Sequence, residues 1–326
     1  MKIAIVILNW NGEKLLKQFL PSVIQHSDGA DIYVADNASS DNSVAIVNNL
    51  FPHVKIIQNL KNEGYAKGYN NALKHIDADV FCLLNSDVEV TSNWLTPIIL
   101  EYKNNISADI IQPKILDFKN KSLFEYAGAG GGFIDKYGYA YCRGRIFESI
   151  EKDMSQYNDT APVLWASGAC FFIKKSTFKA LNGFDDTYFA HFEEIDLCWR
   201  AFNAGFTTTY VGTSTVYHVG GATLHAGHPK KTYLNFRNSL FTITKNAKGF
   251  LLGIIFVRLV LDGIAALKFL FDLKFAHFMA IIKAHLVYYA HLPRLLKIRQ
   301  QLPTRKNYYQ TKSIVWFYYI KNQKKF

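Results

Sequence analysis

Val80-Phe81-Cys82-Leu83-Leu84 is an unbroken apolar run, and it ends abruptly at Asn85-Ser86-Asp87. Five apolar residues bounded by polar ones read as a strand buried on both faces. Open α/β sheets bind ligands beyond the carboxyl ends of their strands, so an amide, a hydroxyl and a carboxylate at this point mark a site. On the N-terminal side, residues 3–8, 31–35 and 54–57 are further short apolar runs. The segments between them, such as Glu13 to Gln25 and Ser43 to Leu50, are long enough for helices. Strand and helix alternate, which predicts an α/β fold with a mainly parallel sheet and flanking helices. Leu15, Leu16, Phe19, Leu20 and Val23 recur at helical spacing on the first connection, and Pro21 is expected to kink or shorten that helix. From about residue 111 the alternation fades, and the next strong segment is Val163 to Lys174.

Composition narrows the class. A chain of 326 residues can bury one large core or two modest ones. Cys82, Cys142, Cys170 and Cys198 are far apart and form no CxxC pair, as expected of packed thiols in a reducing compartment, which predicts an intracellular protein. The apolar start, Met1 to Leu8, is too short for a membrane span and runs into Asn9-Trp10-Asn11-Gly12, so it reads as a first strand and not a leader. The net charge of +11 is unevenly spread. Residues 227–326 carry 18 Lys or Arg against Asp262 and Asp272, a balance of +16, while the first 226 residues balance at −5. The basic character therefore belongs to a C-terminal module, whose partner is either anionic lipid or nucleic acid.

Several clusters could carry chemistry. Asp36 follows the second strand and would accept hydrogen bonds from a nucleobase or ribose, or else join Ser40, Asp41 and Asn42 in capping a helix that begins near Ser43. Asn62-Glu63-Gly64-Tyr65-Ala66-Lys67-Gly68 opens a helix with glycines, an amide and a lysine, suited to close backbone approach by a ligand. Asp87 is the metal candidate, because Mg²⁺ or Mn²⁺ prefers carboxylate oxygen and would also bind a donor's phosphates; a plain turn is the alternative. Acids cluster among aromatics in Tyr188-Phe189-Ala190-His191-Phe192-Glu193-Glu194-Ile195-Asp196, where mutual repulsion raises carboxyl pKa values towards those of a general base. A helix starting near Glu193 would instead use these acids on its dipole, with Asp196 and Arg200 as an i, i+4 pair. His218 ends a strand-like run and could complete a metal shell with Asp87, whereas His191, His225 and His228 have no comparable setting. Gly128-Ala129-Gly130-Gly131-Gly132 lacks GxGxxG spacing and reads as a mobile loop.

Taken in order, Ile7 to Asn11, Val34 to Asp41, Asn62 to Asn70, Leu84 to Asp87, Ser167-Gly168-Ala169, Phe192 to Arg200 and His218 resemble family 2 glycosyltransferases, most of all the rhamnosyl and galactofuranosyl transferase branch. The resemblance covers roughly residues 1 to 245. It implies the GT-A fold, a nucleotide-diphosphate sugar donor, UDP- or dTDP-linked, a divalent metal (Mg²⁺ or Mn²⁺) and inversion at the anomeric carbon. On this resemblance residues 1–110 form the nucleotide-sugar half and 111–245 the acceptor half, with 246–326 a helical extension. Asn9, Trp10, Asn11 and Asp36 would hold the nucleotide together with Asn62, Gly64 and Lys67. Asn85, Ser86 and Asp87 stand in the DxD place with one carboxylate where the family has two. Glu194 occupies the general base position with Glu for the more common Asp, leaving Glu194 and Asp196 both open, and His218 matches a metal ligand. Trp165, Ser167, Gly168, Arg237 and Asn238 sit where sugar or acceptor contacts are expected, with core packing an equal account of Trp165.

Phe250 to Phe271 could cross a bilayer by length, but Arg258, Asp262 and Lys268 would each cost about 2.5–3.5 kcal/mol at its centre. The segment therefore reads as an amphipathic helix with a broad apolar face. Further on, cations mix with Tyr308, Tyr309, Trp316, Phe317, Tyr318 and Tyr319, a composition that settles on an anionic membrane surface. No nucleic-acid recognition motif accompanies it. The expectation is an inverting transferase acting on a glycan or lipid-linked acceptor in cell-surface polysaccharide synthesis, peripheral on the inner face of the cell membrane. A nucleotidyltransferase would need a glycine- and basic-rich loop after the first strand, and a non-catalytic membrane scaffold would keep the fold without turnover.

Overall fold

The computed structural model describes residues 1–220 and 227–326; Gly221 and His225 lie outside the described residues. The first half alternates as expected: β1 (Ile3–Asn9), α1 (Glu13–His26), β2 (Ala30–Asp36), α2 (Ser43–Leu50), β3 (Lys55–Gln58), α3 (Gly64–Ala72), β4 (Val80–Asn85), β5 (Val88–Val90), α4 (Leu95–Asn104) and β6 (Ala108–Asp117). A small antiparallel sheet follows, β7 (Gly132–Ile134), β8 (Ala140–Cys142), β9 (Arg145–Ile146) and β10 (Ser149–Ile150). Then come β11 (Thr160–Pro162), β12 (Cys170–Lys174), α5 (Lys175–Ala180), α6 (Glu193–Ala204), β13 (Thr207–His218), α7 (Pro229–Asn246), α8 (Leu251–Phe271), α9 (Phe275–Gln301) and α10 (Ile314–Tyr319).

The large sheet has the order β11-β13-β6-β12-β4-β1-β2-β3, with β5 paired to β13. Strands β3, β2, β1 and β4 are parallel, and so are β6 and β13, so Asn9, Asp36, Asn85 and His218 all leave the sheet at one edge. The one internal antiparallel strand is β12, inserted between β4 and β6. It enters where its neighbours exit, which brings Ser167-Gly168-Ala169 to that same edge. Alternate residues feed two cores: Ile3, Ile5 and Ile7 pack with α1 and α4 on one face, while Ala4, Val6, Phe81 and Leu83 pack with α3, α6 and α7 on the other.

Two sequence expectations change. Helix α1 runs through Pro21 without shortening, because the Lys17 carbonyl it leaves unpaired belongs to an exposed residue that water can serve. The glycine run is buried packing and not a mobile loop: a Cβ on Gly132 would lie 2.1 Å from the Trp165 ring, and Gly131 has φ +97°. Trp165 itself is sealed in, its Nε1 donating to the Phe133 carbonyl at 2.8 Å. The C-terminal tail returns over the small sheet, where the Ile314 amide donates to Asp135 (2.9 Å) and Tyr318 is buried with Phe133 and Tyr141.

Helix α8 turns its charges inward. Arg258 Nε pairs with Asp262 at 2.7 Å, and its other nitrogens donate to Ser239 Oγ and the carbonyls of Tyr137 and Gly138, tying α8 to α7 and the small sheet. Removing one partner strands the other charge in a dry interior. Arg258→Ala is therefore expected to lower stability by about 3–5 kcal/mol, read by chemical denaturation followed by circular dichroism.

Candidate active site

The site is assembled along the strand-exit edge. Val88 pairs in register with His218, so Asp87 sits beside the end of β13. His218 Nε2 lies 3.1 Å from Asp87 Oδ1, and Nδ1 lies 3.3 Å from Glu125 Oε1. Glu125 is fixed by the Ala127 amide, which donates to Oε2 at 2.6 Å. Burial pushes the imidazole pKa down, but the two carboxylates outweigh it and raise it to about 10. Burial likewise pushes Asp87 up, and His218 more than cancels it. Two buried carboxylates around one imidazole make a position with a strong preference for positive charge. One oxygen and one nitrogen donor suit Mn²⁺ or Mg²⁺, and a carboxylate behind the second imidazole nitrogen is the usual support for a metal-binding histidine. Among the described residues no three His, Cys, Asp or Glu side chains are arranged to hold a metal by themselves.

Glu194 stands at the first turn of α6. The turn before it is strained, with His191 at φ +68° and Phe192 at φ +72°, conformations that non-glycine residues rarely adopt. Glu194 Oε2 and Glu193 Oε2 are sealed and have no hydrogen-bond partner among the described residues. Burial is the main cause that raises Glu194 to about 7, while the backbone amides of its own turn hold it down. Glu193 is pushed well above the usual range by burial and then by Glu194. A Cβ on Gly168 would lie 3.8 Å from the Glu194 carboxyl carbon and 3.2 Å from Tyr65 Oη. The Gly168 carbonyl accepts from Tyr65 Oη at 2.8 Å, and the adjacent Ala169 carbonyl accepts from the Asn85 amide at 2.9 Å. Glu194 and the Asn85–Asp87 turn thus both adjoin the Ser167–Ala169 segment.

Other residues named from sequence have internal duties. Asp196 is 0 % exposed and holds Arg200 Nε (2.8 Å), Lys245 Nζ (2.9 Å) and Asn246 Nδ2 (2.9 Å), which leaves Glu194 as the open carboxylate of the two. Asn238 donates to the carbonyls of Ala190 (2.9 Å) and His191 (2.6 Å), clamping the strained turn, and Arg237 Nε donates to Asn238 Oδ1 at 2.8 Å. Ser167 accepts from Ala169 N and donates its own amide to Gln112. Asp36 is 0 % exposed and receives Asn9, Gln58 and both Ser39 donors, so it pins the loop after β2. Asp41, at the other end of that loop, accepts from the Glu13 and Ser43 amides. Asn11 Oδ1 accepts from Ser40 N at 2.7 Å, Asn62 Oδ1 from Gly64 N at 3.0 Å, and Lys67 pairs with Glu63 at 2.6 Å. Gly64, at φ +86°, meets the Phe189 carbonyl so closely that a Cβ would lie 2.2 Å from it. Trp10 is half exposed at the same edge, and a Cβ on Gly12 would sit 3.7 Å from Ser86 Oγ.

Sequence reasoning missed Glu125, His191 and Arg145. Glu125 lies between two aromatics just before the glycine run, a setting with no motif spacing. His191 is held neutral, lowered to about 4 by burial and by Lys231, with Nε2 unpartnered among the described residues. Arg145 is 6 % exposed, has no carboxylate within salt-bridge distance among the described residues, and lies over the Tyr126 ring at 4.6 Å. Its guanidinium donates to Cys142 Sγ at 3.5 Å while Nε is unpartnered among the described residues, and an inward-facing basic residue without a carboxylate is a signal that only coordinates carry.

The family model for glycosyl transferase family 2 matches residues 4–180. The chain belongs to that family. It is 24 % identical over 254 residues to N-acetylglucosaminyl-diphospho-decaprenol L-rhamnosyltransferase of Mycobacterium tuberculosis, covering 71 % of this chain and 82 % of that one. It is 25 % identical over 240 residues to rhamnosyltransferase WbbL of Escherichia coli K12, covering 71 % and 86 %. Among solved structures it is similar to GalNAc-T7 with UDP, GalNAc and Mn²⁺, with TM-score 0.58, 16 % identity and 75 % of this chain covered; the match spans about half of that protein, 48 %. S. aureus TarS 1-349 matches with TM-score 0.53 and 14 % identity over 78 % and 68 % of the two chains. This family 2 glycosyltransferase has the GT-A fold with C-terminal helices added.

Asn238→Ala frees two buried carbonyls and releases the left-handed turn. It is expected to cost about 1–3 kcal/mol in thermal unfolding, with the α6 N-terminus losing hydrogen-exchange protection before the sheet does.

Proposed function

We propose that the chain is an inverting, divalent-metal-dependent transferase that moves a sugar, with rhamnose the first candidate, from a UDP- or dTDP-linked donor to a glycan or lipid-linked acceptor in cell-surface polysaccharide synthesis. The observation that carries this reading is Glu194: a carboxylate raised to about 7, with an oxygen unpartnered among the described residues, beside the Ser167–Ala169 segment on which the Asn85–Asp87 turn is also hung. A base poised near neutral pH takes the proton from an acceptor hydroxyl as its oxygen bonds to the anomeric carbon. The bond from that carbon to the diphosphate oxygen breaks on the opposite face, so configuration inverts. Glu194 is the base in this reading and Asp196 the buried anchor beneath it.

Asp87 and His218 would hold Mn²⁺ or Mg²⁺, with the donor's phosphates completing the shell and Glu125 orienting the imidazole. A divalent cation bound there supplies charge neutralisation for the departing nucleoside diphosphate. Arg145, without a carboxylate of its own, is available to a phosphate oxygen. Asn9, Trp10, Asn11 and Asp36 would shape the nucleotide end. The two rhamnosyltransferase relatives support rhamnose, and the diphospho-decaprenol in one of their names supports a lipid-linked acceptor. A cytoplasmic protein peripheral on the inner membrane face fits that acceptor.

The test is a donor screen with purified protein, UDP- and dTDP-sugars, with and without Mn²⁺, scored by nucleoside diphosphate release. Release is expected to require the metal and to be lost in Asp87→Ala. Glu125→Gln is expected to weaken the metal requirement's half-saturation about 10–100-fold. Glu194→Gln is expected to cost about 10²–10⁴-fold in kcat. Because the working form of Glu194 is deprotonated, kcat/KM in the wild type should climb through about pH 7 and level off above it; a profile already flat from pH 5 would remove Glu194 as base.

A further inference from the structure

We infer that the α8–α9 hairpin is a monotopic membrane-docking face whose occupant is an anionic lipid bilayer. The inference rests on the lipid-linked acceptor proposed above, but its observations are independent of the chemistry. Helix α8 is inside out. Its buried side carries the Arg258–Asp262 pair, while Leu252, Phe256, Val260, Ile264, Leu267 and Phe271 are all exposed, Phe256 by 68 % and Phe271 by 81 %. At 100° per residue these six fall within about 120° of arc, opposite Arg258. Helix α9 packs against it and repeats the pattern, with Phe275, Met279, Ile282, Leu286 and Tyr289 exposed and Ala280, Ile281, Ala284 and Tyr288 buried. Soluble monomers rarely leave a continuous apolar surface of this kind uncovered.

No helix among the described residues is long and apolar enough to cross a membrane, so the face lies on the bilayer and does not span it. Charge selects lipid over a second copy of the chain. Lys268 pairs with Asp272 and Arg294 reaches Asp185, but exposed Lys274, Lys283 and Lys297 have no carboxylate within salt-bridge distance among the described residues, and two copies would bring like charges together. Anionic headgroups complement them, at about 1 kcal/mol per cation near the surface. Beyond α9, Trp316 and Tyr319 on α10 and Ile320 just after it are also exposed.

The full chain is tested by co-sedimentation with vesicles of phosphatidylethanolamine with or without phosphatidylglycerol. Wild type is expected to sediment with the anionic vesicles and to be released by high salt. The variant Phe256→Ser/Ile264→Ser/Phe271→Ser should lose at least ten-fold in vesicle affinity. Nucleotide release with a short water-soluble acceptor should be unchanged in it, while release with a long-chain lipid acceptor in vesicles falls. Because these side chains are exposed, the variant should keep its unfolding midpoint, and Met279→Ser/Leu286→Ser on α9 gives a second reading. Wild type that fails to sediment, variants that bind as well as wild type, or a stable dimer in light scattering that the serine variants dissociate would each overturn the inference. Absence of nucleotide release alongside intact vesicle binding would count against the proposed chemistry and leave this face standing.

Discussion

The buried cation Lys245 joins α7 to the start of α6. Its ammonium lies 2.7 Å from Asp185 and 2.9 Å from Asp196; Lys245 and Asp196 are buried and Asp185 is nearly so. Arg200 grips Asp196 from below on the same helix, and its other nitrogens reach the carbonyls of Leu181 and Gly183. Arg294 of α9 approaches Asp185 from outside at 3.7 Å. Burial alone would raise the Asp185 carboxyl, yet Lys245 lowers it well below the usual range. This network fixes where α6 begins, and it links α6 to α7 and α9. A buried ion network contributes little net stability against an apolar alternative, but it accepts one geometry and rejects its neighbours.

That geometry also sets the surroundings of Glu194. With Asp196 saturated, the helix presents Glu194 two residues nearer its N-terminus and on a different face, with no cation within salt-bridge distance among the described residues. The left-handed His191–Phe192 turn costs about 1–3 kcal/mol per residue, and Asn238 holds it in place through two carbonyls. Burial leaves both first-turn carboxyls, Glu193 and Glu194, with an elevated proton affinity. At the other end of the edge the logic reverses: Asp87 and Glu125 surround His218 with negative charge, an environment suited to cations. One sheet edge thus carries a buried carboxyl of raised pKa at Glu194 and the Asp87–His218–Glu125 cluster.

Much of this was legible because it is local. The first four strands and helices α1, α2 and α6 follow apolar periodicity, and the strand exits at Asn85 and His218 are visible as abrupt changes of polarity. The Asp196–Arg200 pair follows from helical spacing alone. What was not legible depends on distance in sequence. Lys245 lies 49 residues beyond Asp196, and nothing near it signals an ion pair. Glu125 reaches His218 only because β6 and β13 are neighbours in the sheet. The glycine run reads as loose chain until Trp165 and Val163 are seen filling the space its missing side chains leave.

Helix α8 shows why amphipathicity read from sequence has no sign. The pattern of Arg258, Asp262 and the apolar stripe fixes that the helix has two faces, and a soluble protein would turn the apolar one inward. Here the charged face has the better interior partner. Ser239, Tyr139 and two backbone carbonyls supply the bonds that Arg258 and Asp262 need, so burying the pair leaves no lone polar group. The apolar face is then left to face outward, and its exposure costs free energy unless something apolar covers it. The outward apolar stripe of α8 is thus a consequence of where its two charges find their hydrogen bonds.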